Sequence, residues 1–221
     1  MLRKTLFVLL AGTVGASGFA AEQAPKAIYG ADDRLDVYEV TDQALLDAWG
    51  STVALFDLSV VTDNGDGTYS VPYTHTLEDS VQSEFGLGLC EDEPYAEQPA
   101  LAFCSGFLAA PDMVATAGHC ITDIAGCRTT AFVFGYGMLD AMTPTTTFPE
   151  SEVYFGDTIV AREWTLDGED WALIRLDRTV TGHQPLPIRR SGSVAAGEPL
   201  VLIGYPAGLP AKIVGGATVQ S

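Results

Sequence analysis

Between residues 53 and 219 the apolar residues come in short runs, most of them stopped by Gly, Pro or Asp. The runs fall at 53–61, 68–73, 102–109, 113–117, 130–136, 158–164, 171–176, 199–205 and 212–219. They are rich in β-branched and aromatic residues and too short for ordinary helices, so each reads as a strand. Many short strands with turn residues between them predict an all-β barrel or sandwich. Only residues 41–49 carry a helical pattern, with Thr41 or Asp42 as N-cap and Gly50 as its end. Runs 53–61 and 68–73 flank Asp63-Asn64-Gly65-Asp66-Gly67 and read as a hairpin. Two aspartates in that turn raise calcium, but the residues that complete a calcium loop are missing. Residues 77–98 read as an acidic, loop-like insert.

The N-terminus follows a different logic. A basic start (Arg3, Lys4), an apolar core from Leu6 to Val14, and small residues at Gly18 and Ala20 make residues 1–20 a signal peptide. Residues 21–26 read as a short propeptide or leader remnant, and 27–221 as one domain. No later stretch reaches the roughly 18 apolar residues that a membrane span needs. The expectation is a secreted chain, extracellular or periplasmic, acting as a monomer. Charge narrows the partners: 29 Asp and Glu stand against 11 Lys and Arg, a net charge of −18. From Leu35 to Cys127 there are 16 acidic residues and no Lys or Arg. Such a surface repels nucleic acid and anionic membranes.

Four cysteines stand at 90, 104, 120 and 127. In an exported chain an even count points to disulfides. A zinc site from these cysteines and His119 is the rival, but no Cys-x2-Cys pair supports it. No metal or cofactor is expected. The runs around Cys104 and Cys120 flank a tight turn containing Pro111, so as a hairpin they bring these two cysteines close enough to bridge. Cys90 and Cys127 are then left to pair with each other.

Such a bridge fixes the chain at His119, a candidate general base. Asp170 opens a strongly apolar strand. Packed beside the histidine hairpin, it accepts the Nδ1 hydrogen, which sets the tautomer and stabilises the imidazolium.

The Thr-Ala-Gly-His-Cys motif ending at Cys120, the Cys104-Ser105-Gly106 strand before it, and Asp170-Trp171-Ala172-Leu173-Ile174 together resemble the chymotrypsin/trypsin-like serine proteases. The bacterial trypsin-like and glutamyl endopeptidase branch is the nearest in pattern. Gly30-Ala31-Asp32-Asp33-Arg34, Pro185-Leu186-Pro187-Ile188 and Ile203-Gly204-Tyr205-Pro206 carry that likeness. The resemblance implies a chymotrypsin-like double β-barrel with its site between the barrels. It also implies a peptide or protein substrate, His119 as base and Asp170 as its orienter. The family's nucleophile is a serine in a Gly-Asp-Ser-Gly or Gly-Asn-Ser-Gly turn, whose amides form the oxyanion hole.

No such turn occurs in these 221 residues. Gly15-Ala16-Ser17-Gly18 lies in the signal peptide. Ser105 occupies a structural position, Ser191 and Ser193 lie in a loop, and Ser221 lacks flanking glycines. The expectation is therefore a protease fragment with its first barrel essentially complete and its second truncated. The alternative is an inactive homologue that binds peptides. A cysteine protease of the same fold is disfavoured by export, which exposes a reactive thiol to oxidation.

Overall fold

The computed structural model describes residues 32–220; the signal peptide, the leader and the Gly30-Ala31 part of the N-terminal motif lie outside them. In chain order the elements are β1 (Arg34–Asp36), α1 (Gln43–Trp49), β2 (Thr52–Asp57), β3 (Thr62–Asp63), β4 (Thr68–Ser70) and α2 (Leu77–Phe85). Next come β5 (Cys104–Ala110), β6 (Met113–Thr116), α3 (Ile124–Arg128), β7 (Thr130–Val133) and β8 (Thr147–Pro149). The series ends with β9 (Val153–Trp164), β10 (Asp170–Leu176), β11 (Pro199–Gly204) and β12 (Lys212–Thr218). The all-β expectation holds. Six strands close a barrel in the order β10-β6-β5-β2-β7-β9, and β1, β12 and β11 form a separate three-stranded sheet.

Strands β2 and β7 show why the barrel closes where it does. Val53, Leu55 and Phe132 point into the barrel with Leu108, Val114, Tyr154 and Ile174. Ala54, Phe56, Ala131 and Val133 point outward, yet they are buried under Val71, Tyr136, Phe148 and Tyr205. A strand covered on both faces must be apolar at every position, which accounts for the unbroken run from Val53. Complete burial of each Val, Leu, Ile or Phe among them contributes about 1.5–3 kcal/mol.

Two sequence expectations need correction. Residues 53–61 do not form one strand paired with 68–73. The Asp57 carboxylate accepts the Ser59 amide at 2.8 Å and turns the chain, so β2 stops there. The hairpin is the shorter β3–β4 pair, Thr62 opposite Ser70, while β2 pairs with β5 and β7. The insert is also not wholly loop, because α2 begins at a capping box. Thr76 Oγ1 accepts the Asp79 amide and Asp79 accepts the Thr76 amide, both at 3.0 Å. Gly86, at φ 66°, closes the helix in the left-handed region. α1 is as expected, with Asp42 as its cap and Gly50 as its end.

The β1–β12–β11 sheet is fixed from below by a buried polar cluster. Lys212 Nζ donates to Asp36 Oδ1 at 2.6 Å, to Gln98 Oε1 at 2.7 Å and to the Pro210 carbonyl at 3.1 Å. Gln98 Nε2 donates to the other Asp36 oxygen at 2.7 Å. Two cations approach the Tyr95 ring, with Arg34 4.6 Å and Lys212 4.5 Å from its centroid. The cluster joins β1, the insert and β12, segments far apart in sequence. The chain between β10 and β11 is tied to the barrel. His183 stacks on Phe134 at 4.1 Å and meets Glu152 at 2.8 Å, and Ser51 Oγ donates to the Gln184 carbonyl.

Candidate active site

β5 and β6 form the expected hairpin, with Gly106 opposite Thr116. At its open end Cys104 and Cys120 are disulfide-bonded, with Cα atoms 6.2 Å apart. Closing a loop with 16 residues of separation stabilises by about 3 kcal/mol in the chain-entropy model. It also fixes the residue next to His119. The zinc alternative conflicts with this bond. The donor atoms of Cys104, His119 and Cys120 lie within 4.8 Å of one another, but both sulfurs are spent on each other.

The other cysteine pairing is corrected. Cys90 and Cys127 are both free thiols: Cys90 is exposed in the insert, and Cys127 is fully buried. α3 is the cause. Asp123 caps it by accepting the Gly126 amide at 2.8 Å, and the short helix turns Cys127 into the barrel core. There its backbone and sulfur abut Gly156, where no Cβ fits. Burial pushes the Cys127 thiol pKa above its ordinary value.

β10 pairs with β6, Ala172 opposite Thr116, so extending the ladder by two residues brings Asp170 abreast of Gly118. Both carboxylate oxygens are then used on His119. Oδ1 accepts the His119 amide at 2.9 Å, and Oδ2 meets Nδ1 at 2.7 Å. A carboxylate can only accept, so Nδ1 carries the hydrogen, and in the neutral imidazole the lone pair is on Nε2. Nε2 lies 3.6 Å from Cys120 Sγ. The imidazole is 55% exposed and the carboxylate 36%, so the pair opens to solvent.

The hydrogen bond from the His119 side chain holds the Asp170 pKa below its ordinary 3.8, against an opposing desolvation cost. A carboxyl depressed in the folded state gives its stabilisation in full above the unfolded value, and loses it as pH falls through the folded one. The Asp170–His119 contact is thus expected to persist in acid below pH 3.8. A carbon-detected titration of the Asp170 carboxyl checks this. The midpoint is expected below the ordinary value in the native chain and close to it in His119→Ala. A native midpoint at or above 3.8 would contradict the geometry.

Two further residues shape this site, one named in the sequence only as part of a motif and one not at all. Gly118 is pressed onto the β9–β10 ladder, where a Cβ would overlap the Glu163 carbonyl and crowd that of Trp171. Arg162, on β9, donates from Nε to the Gly118 carbonyl at 2.6 Å. A glycine before the histidine was visible in the motif. Nothing in the sequence linked Arg162 to it.

Of the serines weighed in the sequence, Ser17 and Ser221 lie outside the described residues. Ser105 Oγ accepts the Tyr205 amide at 2.8 Å, a structural bond between the hairpin and the chain after β11. Ser191 and Ser193 lie exposed in the loop before β11. Among the described residues no serine hydroxyl is bonded to the His119 ring.

Comparison with known proteins gives a family and many structural likenesses, two of which follow. No curated protein matches the chain. The secreted serine protease VesC from Vibrio cholerae is 18% identical with a TM-score of 0.44. That match covers 76% of this chain and 28% of VesC, so the chain spans under a third of that relative. A Glu endopeptidase solved in complex with MPD is 15% identical with a TM-score of 0.46, over 87% of this chain and 70% of the other. A family model described as a trypsin-like peptidase domain matches residues 104–221, from the first cysteine of the bridged hairpin through His119 and Asp170. That is more than half of the sequence, and the chain belongs to the trypsin-like peptidase domain family.

Proposed function

We propose that the chain is part of a secreted serine-type endopeptidase, in which His119 is the general base and Asp170 its orienter. The grip of both Asp170 oxygens on the backbone and ring of His119 carries this reading. Asp170 sets the tautomer, so Nε2 takes the hydroxyl proton as the serine oxygen attacks the scissile carbonyl. The imidazolium returns that proton to the leaving amine. In the second half-reaction Nε2 takes a proton from water as its oxygen bonds to the acyl carbonyl carbon; the ester C–O bond then breaks and the imidazolium returns the proton to the serine oxygen. The serine and the oxyanion donors lie outside these 221 residues in this reading.

The chain's partners are peptides or proteins; the acidic surface disfavours nucleic acid and anionic membranes. Export rests on the signal-peptide pattern of residues 1–20. Among the described residues no helix is long and apolar enough to cross a membrane.

A second reading is an inactive homologue that binds peptides, favoured by the lack of a Gly-Asp-Ser-Gly or Gly-Asn-Ser-Gly turn in the sequence. Labelling with a serine-directed fluorophosphonate separates the two. Residues 1–221 are expected to stay unlabelled and to hydrolyse no peptide. The product of the uninterrupted reading frame is expected to be labelled, and to lose labelling in His119→Ala. An unlabelled full product would favour the binding module. Labelling of residues 1–221 would show that a nucleophile is already present.

A further inference from the structure

We propose that Arg162 is a positioning residue for His119, acting through the peptide group between Gly118 and His119. Its Nε donates to the carbonyl of that peptide at 2.6 Å, and the amide of the same peptide donates to Asp170 Oδ1 at 2.9 Å. One planar unit is therefore held at both ends, by a guanidinium on its oxygen and a carboxylate on its hydrogen. In a trans peptide these two atoms point in opposite directions, so the two bonds fix the rotation of the plane. The charges also polarise it in the same sense, and each bond strengthens the other. Asp170 reaches the ring with its second oxygen, so an error in that plane becomes an error at Nδ1.

The surroundings suit the role. Arg162 stands opposite Ala172 on the β9–β10 ladder, two residues from Asp170 along β10. It is half-buried, and its guanidinium carbon lies 5.8 Å from the Trp164 ring centroid. Gly118 is buried against the same two strands and cannot back away. Lysine at 162 would keep the charge and a donor, though without the planar fork.

The proposal rests on the base role assigned to His119, but its test needs no turnover. The chain holds three histidines, His75, His119 and His183, so histidine-labelled NMR resolves each ring. In the native chain the Nδ1 hydrogen of His119, shielded by Asp170, is expected as a low-field signal. In Arg162→Met its exchange with solvent rises about tenfold, the equivalent of one net hydrogen bond, and the His119 amide moves upfield. In Arg162→Lys the signal is retained. The His183 ring, bonded to Glu152 at 2.8 Å, stays unchanged in both and reports intact folding. The proposal is overturned if the His119 signal survives in Arg162→Met, if it vanishes together with that of His183, or if lysine fails to retain it. A chain with no peptidase activity gives the same readout, so failure of the peptidase reading remains a separate result.

Discussion

Replacing Lys212 with methionine while Asp36 remains is expected to cost about 3–5 kcal/mol of stability, read as a lower denaturation midpoint in urea. The Lys212 side chain has no solvent contact, and Asp36 is almost as enclosed, with 4% of its side chain exposed. Burial pulls the ammonium pKa below the usual lysine range, and the Asp36 carboxylate opposes that pull. The pair is tolerated because its geometry is complete: two side-chain acceptors and a carbonyl serve Lys212, and Gln98 and Lys212 serve the two oxygens of Asp36. Removing the cation leaves a carboxylate in the interior without its ammonium partner, and that residual charge sets the cost. The double variant Asp36→Leu with Lys212→Met is expected to recover most of the loss. A single-variant cost under about 1 kcal/mol would mean that the pair behaves as an exposed one.

The second large effect is chemical. In a chain that carries the serine, Asp170→Asn is expected to lower kcat about 10⁴-fold with little change in KM. The carboxamide nitrogen facing Nδ1 is a donor, so it favours the tautomer with the hydrogen on Nε2, which then cannot act as a base. The fold is expected to stay intact, because the amide oxygen can still accept the His119 amide. A loss under tenfold would mean that Asp170 does not set the tautomer. For a peptide-binding homologue the same substitution leaves affinity unchanged.

How much of this was legible depends on whether the cause was local. The β5–β6 hairpin and its disulfide rest on short patterns next to each other, and those were readable; the pairing of β10 with β6 joins residues 56 positions apart and entered the sequence reading only as a condition. The stop at Asp57 was written in its cap with Ser59, but a run of residues buried on both faces hid it. The capping box of α2 was also present, Thr76 to Asp79, inside an insert whose acidic composition otherwise reads as loop. The remaining features have distant causes. Cys127 is inward because a five-residue helix turns it, and a count of cysteines carries no direction. Lys212 is a lone charge in the apolar stretch Leu209-Pro210-Ala211-Lys212-Ile213-Val214, and only its partners at 36 and 98 make it a core residue. Arg162 sits in a strand that was expected, facing a carbonyl that no side-chain pattern encodes.

The bond between Asp36 and Lys212 spans 176 positions. A ribosome or a translocation pore delivers β1 long before β12 exists, so the earliest strand of the domain must wait for a late one. Contacts of such separation pay their loop-closure entropy before they return any energy, and they slow folding. The six-strand barrel, closed by nearer contacts, is expected to form first, with β1 docking as a late step. Refolding followed at Trp49 and at an Arg34 label is therefore expected to show two rates.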